Sequence, residues 1–255
     1  MSRTPTGESV LARAVRIFEA FAPGETTLSV SEISRRAGLH ISTTSRLVAE
    51  LTGHGLLARG PGRTVQIGLR LWELGLRASP TLTLRQVALP FLKDLTNLVG
   101  HHAQLSVLEG MDILFLERLS APGAVVNLSR VAGRMPATAT APGVLLLAHA
   151  DPERQEEALG RPLPTYTRST IGDPDRLRSA LARARRNGFV TSPGWVEHPA
   201  CGLAVPVRET DGSPVAALSV IVPNDDRVFG FLPALRAAAM EIGLVLRRAH
   251  AEPAP

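Results

Sequence analysis

The stretch from Ser9 to Ile67 most limits what this chain can become. Three short amphipathic segments, each closed by glycine or proline, run into two β-prone runs hinged on Gly60-Pro61-Gly62. Val10, Ala14, Ile17 and Phe21 recur at helical spacing, and Pro23-Gly24 stops that helix. A second helix opens at Ser29 or Ser31, where Ser29-x-x-Glu32 fits a capping box, and closes at Gly38. A third starts near Ile41 or Ser42 and carries a stripe of Leu47, Val48 and Leu51. Leu56–Arg59 and Arg63–Ile67 then read as a hairpin. Three helices and a hairpin make a winged helix. The tight turn at Gly38-Leu39-His40 makes the second and third helices a helix-turn-helix.

A helix of that kind fits the major groove with its first turns toward the base edges. Ser42, Thr43, Thr44, Ser45 and Arg46 occupy those turns, with the threonines and Arg46 read as lying away from the apolar stripe. Arg63 at the wing tip is placed for a phosphate or the minor groove. Charge agrees with an anionic partner here. Residues 1–80 hold ten Arg and six Glu, a net +4, whereas residues 81–255 hold 18 Arg or Lys and 17 Asp or Glu, a net +1.

Residues 69–78 continue as a short helix with Leu69, Trp72 and Leu76 on one face, and Pro80 marks a boundary. The apolar residues at 84, 87, 88, 91, 92, 95 and 98 give a long helix. Strands are expected at His102–Leu108, Ile113–Arg118, Gly202–Val207 and Val215–Val222. Helices are expected at Ala141–Ala150, from Asp173-Pro174 to Asn187, and at about Phe231–Ala249. This order implies an α+β domain with a mostly antiparallel sheet.

Several chemistries find no footing. Cys201 is the only cysteine, so neither a disulfide nor a paired-Cys zinc site is expected. His101 and His102 are adjacent on an expected strand and point to opposite faces, so no metal site is expected. Gly53-x-Gly55-x-x-Ala58 follows a helix instead of a strand and reads as a helix stop, not a dinucleotide loop. No nucleophile elbow or triad stands out. The N-terminus lacks a secretory h-region, and the most apolar short run, Gly143–Ala150, is too short for a membrane span. The chain is therefore expected in the cytoplasm, with no cofactor and no membrane partner.

The chain resembles the IclR family of bacterial transcription regulators. The resemblance runs through Leu28–Leu51, Gly62-Arg63 to Gly75, Gly133-Arg134-Met135-Pro136 with Ala141-Pro142-Gly143, Thr167–Asp173, Arg185–Val207 and Gly212–Ser219. It implies a winged helix-turn-helix at 1–68, a linker helix at 69–80 and a GAF-like effector-binding domain at 81–255. It also implies dimers that often pair into tetramers. Two departures stand out. Ile41 and Val144 take positions where family members often carry lysine. In members that bind small acids, the pocket positions correspond here to Ala124, Asn127, Met135, Ala141, Pro142, Ser192, Ala200, Gly202, Ser219 and Ile221. Ser192 and Gly202 replace an Asp and a Cys of those members, and a serine is lost at Ile221. Fewer polar groups and one acid fewer favour a small organic acid with an apolar body, aromatic bodies included. The leading reading is a regulator that binds an approximately palindromic double-stranded operator, with a small-acid effector. The alternative is a small-molecule enzyme with an accessory winged helix, which requires a catalytic set in residues 81–255.

Overall fold

The computed structural model describes residues 8–22, 24–76, 80–209 and 211–251. Pro23, an expected helix stop, and the end of the expected linker helix at 77–78 lie outside them. The chain divides into two compact units, Met1–Ser79 and Pro80–Pro255.

In the first unit the elements run α1 (Val10–Glu19), β1 (Leu28–Ser29), α2 (Val30–Ala37), α3 (Ile41–Gly53), β2 (Leu57–Arg59), β3 (Thr64–Ile67) and α4 (Leu69–Leu76). The strands form a sheet in the order β1-β3-β2, so the hairpin recruits a third strand from the start of α2. The core gathers Ile17, Leu28, Ile33, Leu47, Val48, Leu51, Leu57 and Val65. The expected stripe on α1 is core only from Ala14 onward; Val10 faces solvent together with Leu11 and Val15.

Ser29 caps α2 by accepting the Glu32 N–H. The reciprocal half of the capping box is unmade, because the Glu32 carboxylate pairs with Arg35 and Arg36. Those two guanidiniums pull its pKa down to about 2. Gly38 closes α2 in the left-handed region at φ 60°, the conformation that the tight turn into α3 requires.

The second unit begins with α5 (Pro80–Val99), followed by β4 (His102–Glu109), β5 (Asp112–Ser120), β6 (Arg134–Pro136), α6 (Ala141–Leu147), α7 (Pro152–Gly160), α8 (Pro174–Asn187), β7 (Val190–Pro193), β8 (Ala200–Arg208), β9 (Pro214–Pro223) and α9 (Leu232–Ala251). Pro80 thus opens a helix, a position that tolerates proline because the first-turn N–H has no partner in any case. The six strands are antiparallel throughout, in the order β6-β5-β4-β9-β8-β7.

One face of the sheet packs under α5 and α9, through Ala88, Leu92, Leu95, Leu203, Leu235 and Ile242. The other packs under α6 and α8, through Ile113, Phe115, Val144, Leu145, Leu177 and Ala204. Val144, where relatives often carry lysine, is completely buried in that second layer. Residues 226–248 are long and apolar enough to cross a membrane by length and composition alone, a longer run than Gly143–Ala150. In this fold Leu235, Ala239, Ile242 and Leu246 of α9 are buried in the core over the sheet.

Candidate DNA interface and effector pocket

The turn after Gly38 presents the start of α3. Ser42, Ser45 and Arg46 are exposed and Thr43 is half-buried. The Ser42 hydroxyl is 2.8 Å from Nδ1 of His40, the N-cap of α3. Thr44 departs from the expectation. It is completely buried, and its hydroxyl donates to the His40 carbonyl. Its place on the helix puts it one turn before Val48, on the inner face, so it drops out of the DNA-facing set.

The charge of this unit is unevenly available. Arg16 is tied to Glu8, Arg35 to Glu32, and Arg36 to Glu25 and Glu32. Among the described residues, Arg46, Arg59 and Arg63 form no ion pair. Arg63 sits at φ 63° on the wing turn and is exposed. Arg59, across the same hairpin, is also exposed, and sequence reading did not single it out.

In the second unit a recess opens on the α6 face of the sheet. Of the expected residues it is lined by Asn127, Met135, Pro142, Ser192, Ala200, Gly202 and Ile221. Gly202 lets three walls converge: a Cβ there would lie 2.5 Å from Ser192 Oγ, 3.3 Å from Ile221 Cδ1 and 3.5 Å from Ala141 Cβ. Ala141 therefore stands just behind the wall and does not line it. Ala124 is likewise outside the lining.

Ser219 is also displaced from its expected role. It pairs with Gln104 on β4 and Ala204 on β8, is completely buried, and lies outside the lining. Its hydroxyl has no partner among the described residues. The recess holds about 40 Å³ open to the centre of a water molecule, against the ~10–15 Å³ that one water needs.

The segment Val126–Ser129 forms one wall. Gln104 Nε2 donates to Ser129 Oγ at 2.5 Å. The Ser129 N–H donates to Asn127 Oδ1 at 3.0 Å, and the buried Asn127 Nδ2 has no partner among the described residues. A buried amide N–H with no acceptor is costly, so this atom is the recess's clearest demand for a hydrogen-bond acceptor. Phe115 and Met135 supply apolar wall.

Sequence reading missed Gln104, Phe115, Ser129, Thr140 and Glu197. Gln104 did leave a trace. It is a polar residue at period two with His102 and Ser106 in an apolar strand, where inward-facing polar groups are uncommon. Glu197 overturns a charge argument. Although Ser192 brings no acid, Glu197 on the loop between β7 and β8 puts a carboxylate in the lining.

The two histidines do converge, on the backbone of Val125. His101 Nδ1 accepts the Val125 N–H, and His102 Nε2 lies 2.6 Å from the Val125 carbonyl. Their expected divergence fails because His101 precedes the strand. Burial pushes the His102 pKa below the usual imidazole range, helped by the nearby Arg118 and His101 charges. Cys201 points into the opposite layer, and burial raises its thiol pKa to about 11.

The family model for the IclR helix-turn-helix domain matches residues 10–61, and that for the bacterial transcriptional regulator IclR C-terminal domain matches residues 77–243. The chain belongs to the IclR family of bacterial transcriptional regulators. The XynR regulator of Escherichia coli is 30% identical over 245 residues, covering 95% of this chain and 97% of its own. The Pca regulon regulatory protein of Pseudomonas putida is 29% identical over 239 residues, 91% of this chain and 82% of its own. Among solved structures, an IclR homolog of Microbacterium hydrocarbonoxydans complexed with 4-hydroxybenzoate is 48% identical. It superposes with a TM-score of 0.88 over 94% of this chain and 100% of its own. This IclR-family chain is therefore a transcriptional regulator with an N-terminal helix-turn-helix and a C-terminal effector-binding domain.

Proposed function

We propose that this regulator responds to a monocyclic aromatic hydroxy acid of the 4-hydroxybenzoate class, held in the recess between Asn127 and Gly202. The unpartnered Asn127 amide carries this reading. It offers a buried donor to a carboxylate or phenol oxygen, beside the apolar surface of Phe115, Met135 and Ile221. The Microbacterium homolog's ligand supports the same class. Val126 and Leu128 on the outer wall are 56% and 47% exposed, so that wall has room to move outward around a ring. Among the described residues lining the recess, amides, hydroxyls and one carboxylate come together, and no nucleophile is held by a base. That arrangement suits binding over catalysis.

The test is a thermal-shift panel on the full chain. At a concentration a hundredfold above its Kd, 4-hydroxybenzoate should add ~2.7 kcal/mol of stability, or roughly 5–10 °C for a domain of this size. Asn127→Leu should remove most of that shift while leaving the unliganded midpoint within a few degrees. A shift from short aliphatic oxo acids alone would overturn this class of ligand. Glu197→Gln should tighten binding of the acid about two- to fivefold by removing a like charge at the rim, read by titration calorimetry. Unchanged affinity would place the ligand's carboxylate away from Glu197.

Residues 1–68 act as the DNA-binding domain, 69–80 as the linker and 81–255 as the effector domain of a cytoplasmic homodimer. The dimer is argued from α4, on which Leu69, Trp72 and Leu76 are 70%, 63% and 43% exposed and no described residue is buried. An apolar helix face of this kind favours a second copy, and a two-fold dimer reads a palindromic operator. Trp72→Glu should give a smaller species by light scattering at micromolar concentration. An unchanged mass would remove α4 from the contact.

A further inference from the structure

Two adjacent residues of β5 face opposite sides of the sheet and grip different structures. A register shift at Leu105/Ser106 inserts one extra residue into β5, so Leu105 pairs with Glu117 while Ser106 pairs with Phe115. The bulge reverses the alternation of side chains beyond it. Phe115 points to the α6 layer and Leu116 to the α5 layer. Regular alternation would send Glu117 to the recess and Arg118 under α5. The bulge does the opposite.

Glu117, with its side chain 8% exposed, meets Arg85 of α5 at 2.6 Å. Arg118 Nη1 donates to the carbonyls of Ser129 at 2.5 Å and Asn127 at 3.4 Å, the backbone of the recess wall. The two are tied directly as well, since the Arg118 N–H donates to Glu117 Oε1 at 3.0 Å. Arg85 sits in the second turn of α5, and only residues 77–79 separate α5 from α4 along the chain.

We propose that the Glu117–Arg118 pair couples the effector recess to α5: Arg118 positions the Asn127–Ser129 wall, and Glu117 passes any displacement of it to Arg85. The pair is a positioning device, and neither residue lines the recess. It rests on the effector reading above only for what moves the wall. Two adjacent residues just beyond the bulge, each fixed by charged hydrogen bonds on its own face of the sheet, cannot shift on one side without pulling on the other, since one peptide joins them.

The test uses the full chain and an operator fragment defined beforehand by footprinting. Without ligand, Arg118→Met should raise amide exchange across residues 84–90 by about fivefold or more. In an Arg85→Met background the same change should add less than about twofold. With 4-hydroxybenzoate, Arg85→Met should keep ligand affinity within about threefold. Its operator response should fall from the ~5–150-fold typical of coupled sites to under about twofold. Arg85→Lys, which retains a cation for Glu117, should restore at least half of the logarithmic response. A purely structural role would lower stability without separating ligand affinity from operator response. The proposal is overturned if residues 84–90 ignore Arg118→Met, or if Arg85→Met keeps the full response. If 4-hydroxybenzoate fails to bind the unaltered protein, the effector reading falls, and the ligand-free exchange arm still decides the coupling.

Discussion

Gly143→Ala is expected to destabilise the effector domain by about 3 kcal/mol, at the upper end of ordinary overpacking. A Cβ at Gly143 would lie 2.1 Å from the Ala137 carbonyl oxygen and 2.4 Å from the Ala137 Cα. Both are backbone atoms of the buried turn Ala137–Ala139, so no flexible side chain can swing aside. Either α6 lifts away from the turn or the turn deforms, and both carry wall residues of the recess, Thr140 and Pro142, with them. For a domain of this size the midpoint should fall by roughly 6–12 °C. The response to 4-hydroxybenzoate should fall with it. Gly160→Ala is the control, since nothing lies within 4 Å of its Cβ position at the end of α7. It should be neutral or slightly stabilising. A Gly143→Ala midpoint within 2 °C of the unaltered protein would refute the argument.

Arg46→Ala is expected to weaken operator binding by ~1–3 kcal/mol, about 5- to 150-fold, if the side chain reads a base. The residue is exposed on the second turn of α3, between the buried Thr44 and Leu47, and forms no ion pair among the described residues. Its backbone is held in place by the Leu47, Val48 and Leu51 core. The loss of affinity therefore reports a lost contact and not a lost helix, which circular dichroism would check. Arg63→Ala offers the contrast. A wing arginine on a phosphate should weaken all sequences alike and lower the slope of log affinity against log salt by about one. If Arg46→Ala shows that uniform pattern instead, its partner is a phosphate. If affinity does not change at all, the recognition surface lies elsewhere on the domain.

Both predictions depend on a boundary between local and non-local information. Local pattern made the helix-turn-helix legible. Ser29, Gly38 and the Leu47/Leu51 stripe each act within a few residues, and their outcomes appear where the spacing put them. The same holds for the helix of residues 84–98 and the helix capped by Asp173. These features rest on capping and on the 3.6-residue period, which a sequence displays directly.

What tertiary structure alone decided lies where distant segments meet. Thr44 is polar and near a helix start, yet it is buried because the fold of residues around His40 turns that face inward. Short strands such as β1, β6 and β7 carry too few residues for a period and exist because neighbours complete them. Ser219 was placed in the recess by position, but the β4–β9 register sets it beneath the lining, opposite Gln104. Glu197 reaches the rim from a loop whose path no local pattern describes. The bulge in β5 is the sharpest case. One extra residue, set by how β4 pairs with β5, inverts the faces of Glu117 and Arg118. The sequence by itself determined the longer elements and their order, since their caps and periods arise from neighbours along the chain. The recess lining and the faces of Glu117 and Arg118 were decided only where distant segments meet, above all through strand register, which is fixed between strands and not within them.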